Sequence, residues 1–266
     1  MIKSEIEILI PTLNEEGNIE KVIKELNNEG YYNITLLDAN STDQTVSIAK
    51  KYNCRIIIDE PNKKGFGNSI INGLNKLNSK YFCIFDGDNS FNPKSISEMS
   101  NEVYNGAEFV FGSRYLNNTK SEDDTLITKF GNFFFTKLVN ILFNINTSDV
   151  LFLYVFGKKE NVHKLNLKQG DFSICTEFLI KSYKNFKSKE ILSKERKRLY
   201  GKSKVNKIFD GVKILYYVLV LYFKIKRKKK KLHLLLVLLG KMDLISLNYC
   251  SKKIILFTVC LGEQAL

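Results

Sequence analysis

Short apolar runs that alternate with helically spaced apolar residues organise the amino-terminal half of this chain and leave few folds open to it. Glu5 to Ile10 is the first run, and Pro11-Thr12-Leu13-Asn14-Glu15 closes it with a proline. From Asn18, a good N-cap, Ile19, Val22, Ile23 and Leu26 recur at helical spacing until Gly30 ends the turn. The unit then repeats. Ile34 to Leu37 leads into a polar loop from Asp38 to Asp43, and Val46, Ala49 and Tyr52 mark the next helix. Arg55 to Asp59 makes a third strand, Glu60 to Gly67 a loop with Lys63, Lys64 and two glycines, and Ile70, Ile71, Leu74 and Leu77 a third helix. This order predicts an α/β domain whose mostly parallel sheet is wound by right-handed crossovers.

The fourth run carries the chemistry. Tyr81 to Pro93 reads YFCIFDGDNSFNP, an unbroken apolar strand that stops at Asp86-Gly87-Asp88. Two hard oxygen donors beside a glycine, with Asn89 and Ser90 following, suit Mg²⁺ or Mn²⁺, which keep waters and are completed by a substrate's phosphates. An Asp-Gly turn that merely caps a strand is the alternative. Wound sheets bind ligands outside the carboxyl ends of their strands. Pro11 to Glu15, Asp38 to Asp43, Asp86 to Ser90 and Gly112-Ser113-Arg114-Tyr115 all fall there, which four unrelated turns do not explain.

Composition fits a folded protein, with 44% hydrophobic and 26% charged residues in 266, enough for one α/β domain or a domain plus a tail. The net charge of +13 is local: Lys181 to Lys231 holds 19 Lys/Arg against 3 acidic residues, which leaves 22 against 25 elsewhere. Such a block suits phosphates, whether of nucleic acid, anionic lipid or a lipid phosphate. Cys54, Cys83, Cys175, Cys250 and Cys260 have no CxxC spacing and read as reduced thiols of a cytosolic protein, with no zinc site. Met1 to Glu5 leads into a strand, so no signal peptide is expected and the catalytic body is expected to face the cytoplasm.

Residues 5 to about 210 resemble a family-2 glycosyltransferase of the GT-A fold, most like the polyprenyl-phosphate (dolichol-phosphate) hexosyltransferases. The matching pieces are Pro11 to Glu15, Asp38-Ala39-Asn40-Ser41-Thr42-Asp43-Gln44-Thr45, Lys64-Gly65-Phe66-Gly67-Asn68, Asp86-Gly87-Asp88 and Gly112 to Tyr115, in the family's order. Weaker matches continue through Thr176-Glu177-Phe178 and Tyr200-Gly201-Lys202-Ser203-Lys204. The resemblance implies a nucleotide-sugar donor held by Pro11, Asn14, Glu15, Asp38, Lys64 and Gly65, and a metal held by Asp86 and Asp88 that stabilises the leaving diphosphate. Arg114 and Lys129 would clamp phosphate oxygens; for these two and Lys64 plain surface charge is the competing account. Asp88, Arg114, Asp149 and Glu177 are the catalytic candidates. Asp149 reads equally as a strand-start residue, and Glu177 as a solvated helical acid. The chain departs from the family at Ala39, where a second acid is common, and at Leu153 and Val155, where Gly and Arg are usual.

Leu126 to Phe143 is apolar nearly all round, so it either lies under the acceptor site or dips into a bilayer. Val205 to Phe223 is amphipathic with too short an apolar core to span, and Arg227 to Lys231 adds a polybasic stripe. Leu232 to Leu239 and Ile254 to Leu261 are shorter still. The expected organisation is therefore a GT-A domain over residues 1–210 and an amphipathic, membrane-associating extension over 211–266. The expected activity is an inverting hexose transfer from a UDP- or GDP-sugar to a polyprenyl phosphate, the protein sitting peripherally on the inner membrane face. Arg198, Lys202 and Lys204, with Arg196 nearby, would meet the acceptor phosphate. Competing readings are a saccharide or protein acceptor, a sugar nucleotidyltransferase, which wants a glycine-rich loop where Pro11 to Glu15 stands, and a non-catalytic membrane or nucleic-acid binder. The last leaves the rim unexplained, and with few aromatics in the basic block no nucleic-acid partner is expected.

Overall fold

The computed structural model describes residues 2–60, 62–119, 121–122, 124–201 and 206–240, with side chains described as far as residue 227. Its seven strands are β1 (Ile6–Thr12), β2 (Ile34–Asp38), β3 (Arg55–Ile58), β4 (Tyr81–Ile84), β5 (Phe109–Ser113), β6 (Val155–Lys158) and β7 (Ser188–Leu192). They form one sheet in the order β3-β2-β1-β4-β6-β5-β7. All pairings are parallel except those of β6, which runs antiparallel to both β4 and β5. The order turns outward in both directions from β1, so the crevice outside the carboxyl ends of β1 and β4 is where such a sheet holds a ligand.

Three helices wind the first strands: α1 (Ile19–Asn28), α2 (Thr45–Lys51) and α3 (Phe66–Asn75); α4 (Ser95–Tyr104) follows β4. One face of the sheet buries Ile6, Ile8 and Ile10 in a core with Ile19, Val22, Ile23 and Leu26 of α1 and Ile96, Met99 and Val103 of α4. These are the alternate positions of β1 and one stripe of each helix, as the two periods require. On the opposite face Phe82 and Phe109 meet Phe178 of α7 (Ile174–Asn185) at ring separations of 6.3 and 5.6 Å. Gly73 lets α3 sit on β2, since a Cβ there would collide with Leu37.

Two local expectations are corrected. Pro11 does not end β1; it lies inside the strand opposite Leu37. Pairing with β4 stops at Leu9, and Pro11 faces the same side as Leu9, so its missing N–H breaks no ladder bond. Asn18 makes no side-chain cap on α1. Its amide is spent on Glu15 Oε2 at 2.7 Å and on the Tyr200 backbone, a tertiary bond that outcompetes the local one.

Three further helices complete the described residues: α5 (Leu126–Phe143), capped by a Thr125–Thr128 box, α6 (Lys159–Leu165) and α8 (Lys207–Gly240). The hydrophobic run read from the sequence coincides with α5, which buries Asn132, Phe135, Thr136, Val139 and Phe143 and leaves Leu126, Ile127, Phe130, Phe133 and Ile141 exposed. It is long and apolar enough to cross a membrane by length and composition. The chain divides into two compact units between Leu219 and Val220, inside α8. The part of the expected extension beyond Gly240, with Ile254 to Leu261, Cys250 and Cys260, lies outside the described residues; Cys54, Cys83 and Cys175 are free and buried.

Candidate active site

A cavity of about 750 Å³ opens at the carboxyl ends of the strands. Strand ends and the loops after them supply Pro11, Glu15, Asn40, Asp59, Asp86 and Asp88 to its wall. α5 supplies Ile127, Phe130 and Phe135, and the start of α8 supplies Gly211 and Ile214. Arg114 and Arg198 line the same space.

The loops after β1 and β2 are stitched to each other. Asn14, in the left-handed region at φ 54°, accepts from Thr42 N at 2.8 Å, and its own N–H donates to Ser41 Oγ at 2.9 Å. Asp38 is buried and accepts from Ser41 N, Ser41 Oγ and Thr12 Oγ1 at 2.9, 2.6 and 3.3 Å. Asp38 thus shapes the rim from beneath, and Asn14 lines a second, smaller cavity of about 470 Å³, while Glu15 lines both. Lys64 and Gly65 are on the main wall. Gly65 has φ +127° and opens α3, and a side chain there would collide with the Gly170 carbonyl oxygen, so only glycine fits this close approach.

Asp86 and Asp88 share the wall with an arginine. Asp88 is 3% exposed; its Oδ1 accepts from Ser90 N at 2.9 Å and its Oδ2 pairs with Arg198 Nη2 at 2.6 Å. Burial first, and the Asp88 charge second, push the Asp86 carboxyl well above its usual range, against the pull of Arg198. Two crowded carboxylates at the head of an open cavity are a donor set for a hard divalent ion. Among the described residues no group of three or more His, Cys, Asp or Glu is placed to hold a metal, so the pair needs phosphate oxygens and water to fill a coordination sphere. The residues present fit Mg²⁺ or Mn²⁺ on those terms.

Arg114 is oriented from behind. Its Nε and Nη2 donate to Asp149 Oδ2 and Oδ1 at 2.7 and 3.0 Å, Glu195 stands 3.5 Å from Nη1, and the guanidinium lies 4.7 Å from the Phe152 ring centre. Burial alone would lower its pKa, but the Asp149 charge and hydrogen bonds raise it overall. Asp149 is fully buried and spends both oxygens on Arg114 and nearby backbone N–H groups. Glu177 also lies off the cavity wall. It accepts from Lys168 N and Gln169 N at 2.8 Å each and pairs with Lys181 at 2.6 Å, and burial together with the Glu177 charge raises the Tyr217 phenol. Lys129 is exposed on α5 and outside the cavity wall, and Lys202 and Lys204 lie outside the described residues.

The wall also holds residues the sequence reading passed over. Asp59 closes the β3 side, buried, bonded by Ser69 Oγ, with its carboxyl raised by burial. Its signal was an acid at a third strand end, in line with Asp38 and Asp86. Glu195 was hidden as one of three acids in the basic block, and Phe172 stacks on Phe66 at 4.8 Å from a loop that carried no pattern.

The mostly parallel wound sheet, flanked by helices, is the GT-A fold, and solved structures share that fold. Glucosyl-3-phosphoglycerate synthase from Mycobacterium tuberculosis, in complex with Mn²⁺, UDP and phosphoglyceric acid, matches with TM-score 0.59 and 18% identity over 73% of this chain and 71% of that one. Its complex with Mn²⁺, UDP-glucose and glycerol 3-phosphate matches with TM-score 0.63 and 15% identity over 82% and 79%. The chain belongs to glycosyl transferase family 2, whose model matches residues 7–165. Among its relatives is the UDP-N-acetylglucosamine–dolichyl-phosphate N-acetylglucosaminyltransferase of Methanococcus voltae, 28% identical over 239 residues, 81% of this chain and 95% of the relative. An uncharacterized protein of Methanocaldococcus jannaschii is 29% identical over 225 residues, 80% of this chain and 90% of the relative. The dolichol-phosphate mannosyltransferase of Pyrococcus furiosus is 27% identical over 190 residues, 66% of this chain and 52% of that longer protein. The protein is therefore a family-2 glycosyltransferase with polyprenyl-phosphate sugar transferases among its relatives.

Proposed function

We propose that this enzyme transfers a hexose, with inversion, from a UDP- or GDP-sugar to a polyprenyl phosphate at the cytoplasmic face of a membrane. One observation carries the reading: a single cavity joins the Asp86–Asp88 pair to the apolar side chains of α5 and the start of α8. A sugar acceptor asks for a wall of hydrogen-bonding groups, whereas a lipid phosphate asks for cations beside apolar surface. The relatives that act on dolichyl phosphate support the same choice.

In this reading Pro11, Glu15, Lys64 and Gly65 hold the donor, on loops that Asn14 and Asp38 keep in shape. Asp86 and Asp88 hold Mg²⁺ or Mn²⁺, which when bound supplies Lewis-acid stabilisation of the leaving diphosphate. Arg114, fixed by Asp149 and Glu195, lies on the cavity wall and meets a phosphate oxygen there. Asp149 and Glu177 act by positioning. Each is committed to a cation and to backbone N–H groups, and a phosphate monoester, with a second pKa near about 6, needs no general base.

Two helices support membrane contact. Lys207 Nζ donates to Thr125 Oγ1 at 3.2 Å, so α5 and α8 begin side by side. Both expose apolar residues there, Leu126, Ile127 and Phe130 on one and Ile208, Phe209 and Val212 on the other. With Lys129, Lys207 and Lys213 around them, they suit an interfacial seat on anionic lipid. The test is a screen of UDP- and GDP-sugars with Mn²⁺ against short polyprenyl phosphates and soluble saccharides. Product on the lipid phosphate alone is expected. Product on saccharides alone would assign a soluble acceptor instead.

A further inference from the structure

We infer that Arg198 is the resident counter-cation of the carboxylate pair, and that it and a divalent ion compete for Asp88. The inference rests on the reading of Asp86 and Asp88 as the metal-holding pair. Arg198 and Asp88 meet at 2.6 Å with side chains 19% and 4% exposed, so this is a sheltered contact and not a surface ion pair. Asp88 Oδ1 is already committed to Ser90 N, and Arg198 holds Oδ2. An ion bound through Asp88 draws on the same carboxylate charge that the guanidinium holds, and two cations on one carboxylate repel, so each weakens the other's hold.

The surrounding chain is arranged for an exchange by side-chain rotation. Two residues before Arg198, Arg196 is tied by its N–H to Ser90 O at 2.8 Å and by its guanidinium to Phe91 O at 2.6 Å and Glu25 at 2.8 Å. Two residues after it, Tyr200 N donates to Asn18 Oδ1 at 3.0 Å and its carbonyl accepts from Asn18 Nδ2 at 3.2 Å. The backbone is pinned on both sides, while the Arg198 side chain lies on the wall of both cavities and has open space to turn into. Metal binding then frees one positive charge inside the main cavity.

The test is Mn²⁺ binding without nucleotide, read as free Mn²⁺ by electron paramagnetic resonance, on the wild type, Arg198→Gln, Arg198→Lys and Asp88→Asn. The expected result is that Arg198→Gln binds Mn²⁺ about 10-fold or more tightly than the wild type, the scale on which one charge within about 4–6 Å shifts a proton's affinity. Arg198→Lys should fall between the two. A second readout needs no variant: Mn²⁺ should raise phenylglyoxal labelling of Arg198 in the wild-type protein, read by mass spectrometry. Mn²⁺ affinity in Arg198→Gln equal to or weaker than wild type, with labelling unchanged by Mn²⁺ and binding lost in Asp88→Asn, overturns the exchange and leaves the metal site standing. Binding that Asp88→Asn does not weaken removes the metal reading, and the inference with it.

Discussion

Replacing Asp149 by Asn keeps the side chain's shape and removes its charge, leaving the Arg114 guanidinium, 14% exposed, with Glu195 at 3.5 Å as its described carboxylate partner. Breaking a buried ion pair from one side costs about 3–5 kcal/mol, and the presence of Glu195 puts this case near the lower end, about 3 kcal/mol. For a unit of this size that corresponds to a fall in Tm of about 6–12 °C. Arg114 also loses the two bonds that fix its plane, so kcat should fall by about 10–100-fold, the effect of misplacing a phosphate clamp. The shape of the pH–rate profile should not change, because Asp149 orients a cation and exchanges no proton with substrate. Thermal unfolding followed by circular dichroism and a pH series of initial rates read both quantities. A Tm within about 2 °C of wild type, the range of an inconsequential surface change, or the loss of one limb of the pH profile, would refute the positioning role.

Asp88→Ala should abolish metal-dependent binding of UDP and GDP in calorimetry while the fold persists; unchanged affinity would remove Asp88 from the site. Mn²⁺ affinity should rise with pH above the usual carboxylate range, because burial and the Asp88 charge make Asp86 hold its proton to higher pH and that proton competes with the ion. Folding without metal takes the opposite sign: a raised carboxyl favours the fold while protonated, and that contribution is lost as pH rises through the raised value. An affinity that is flat or falls with pH would contradict this. Gly67→Ala should cost about 1–3 kcal/mol by overpacking, since a Cβ there collides with the Gln169 carbonyl oxygen, and a wild-type Tm would show that the 168–171 loop gives way. Phe130→Ser with Ile208→Ser should release the protein from anionic vesicles in flotation, where full retention would place the contact elsewhere.

Much of the fold is legible because strand and helix periods differ and the polar rim recurs after each strand. The bounds of α5 can be read directly, since its capping threonine and its long apolar run coincide. The reversed direction of β6 is not legible: Asp149 to Phe156 is an apolar run whose pattern is the same in either direction. The candidate site divides in the same way. Asp86, Asp88 and Gly65 stand in local motifs and lie on the cavity wall. Asp149 and Glu177 look like free acids in the sequence because partners that bury them are distant or on another loop: Arg114 is 35 residues away, and the backbone N–H groups at 168 and 169 precede the helix that carries both Glu177 and Lys181. Asn18 is read as a cap for the same reason, its tie to Tyr200 spanning 182 residues.

In the proposed function one cavity brings a metal-held nucleotide sugar to a lipid phosphate. The most direct measurement is transfer of labelled hexose to a short polyprenyl phosphate in detergent, with and without Mn²⁺, by the wild type, Asp88→Asn and Arg114→Met. The expected result is a lipid-linked product that requires Mn²⁺ and Asp88 and is strongly reduced without Arg114. Lipid product that forms equally well without Mn²⁺ and in both variants, or labelled product found only on a soluble saccharide, would contradict it.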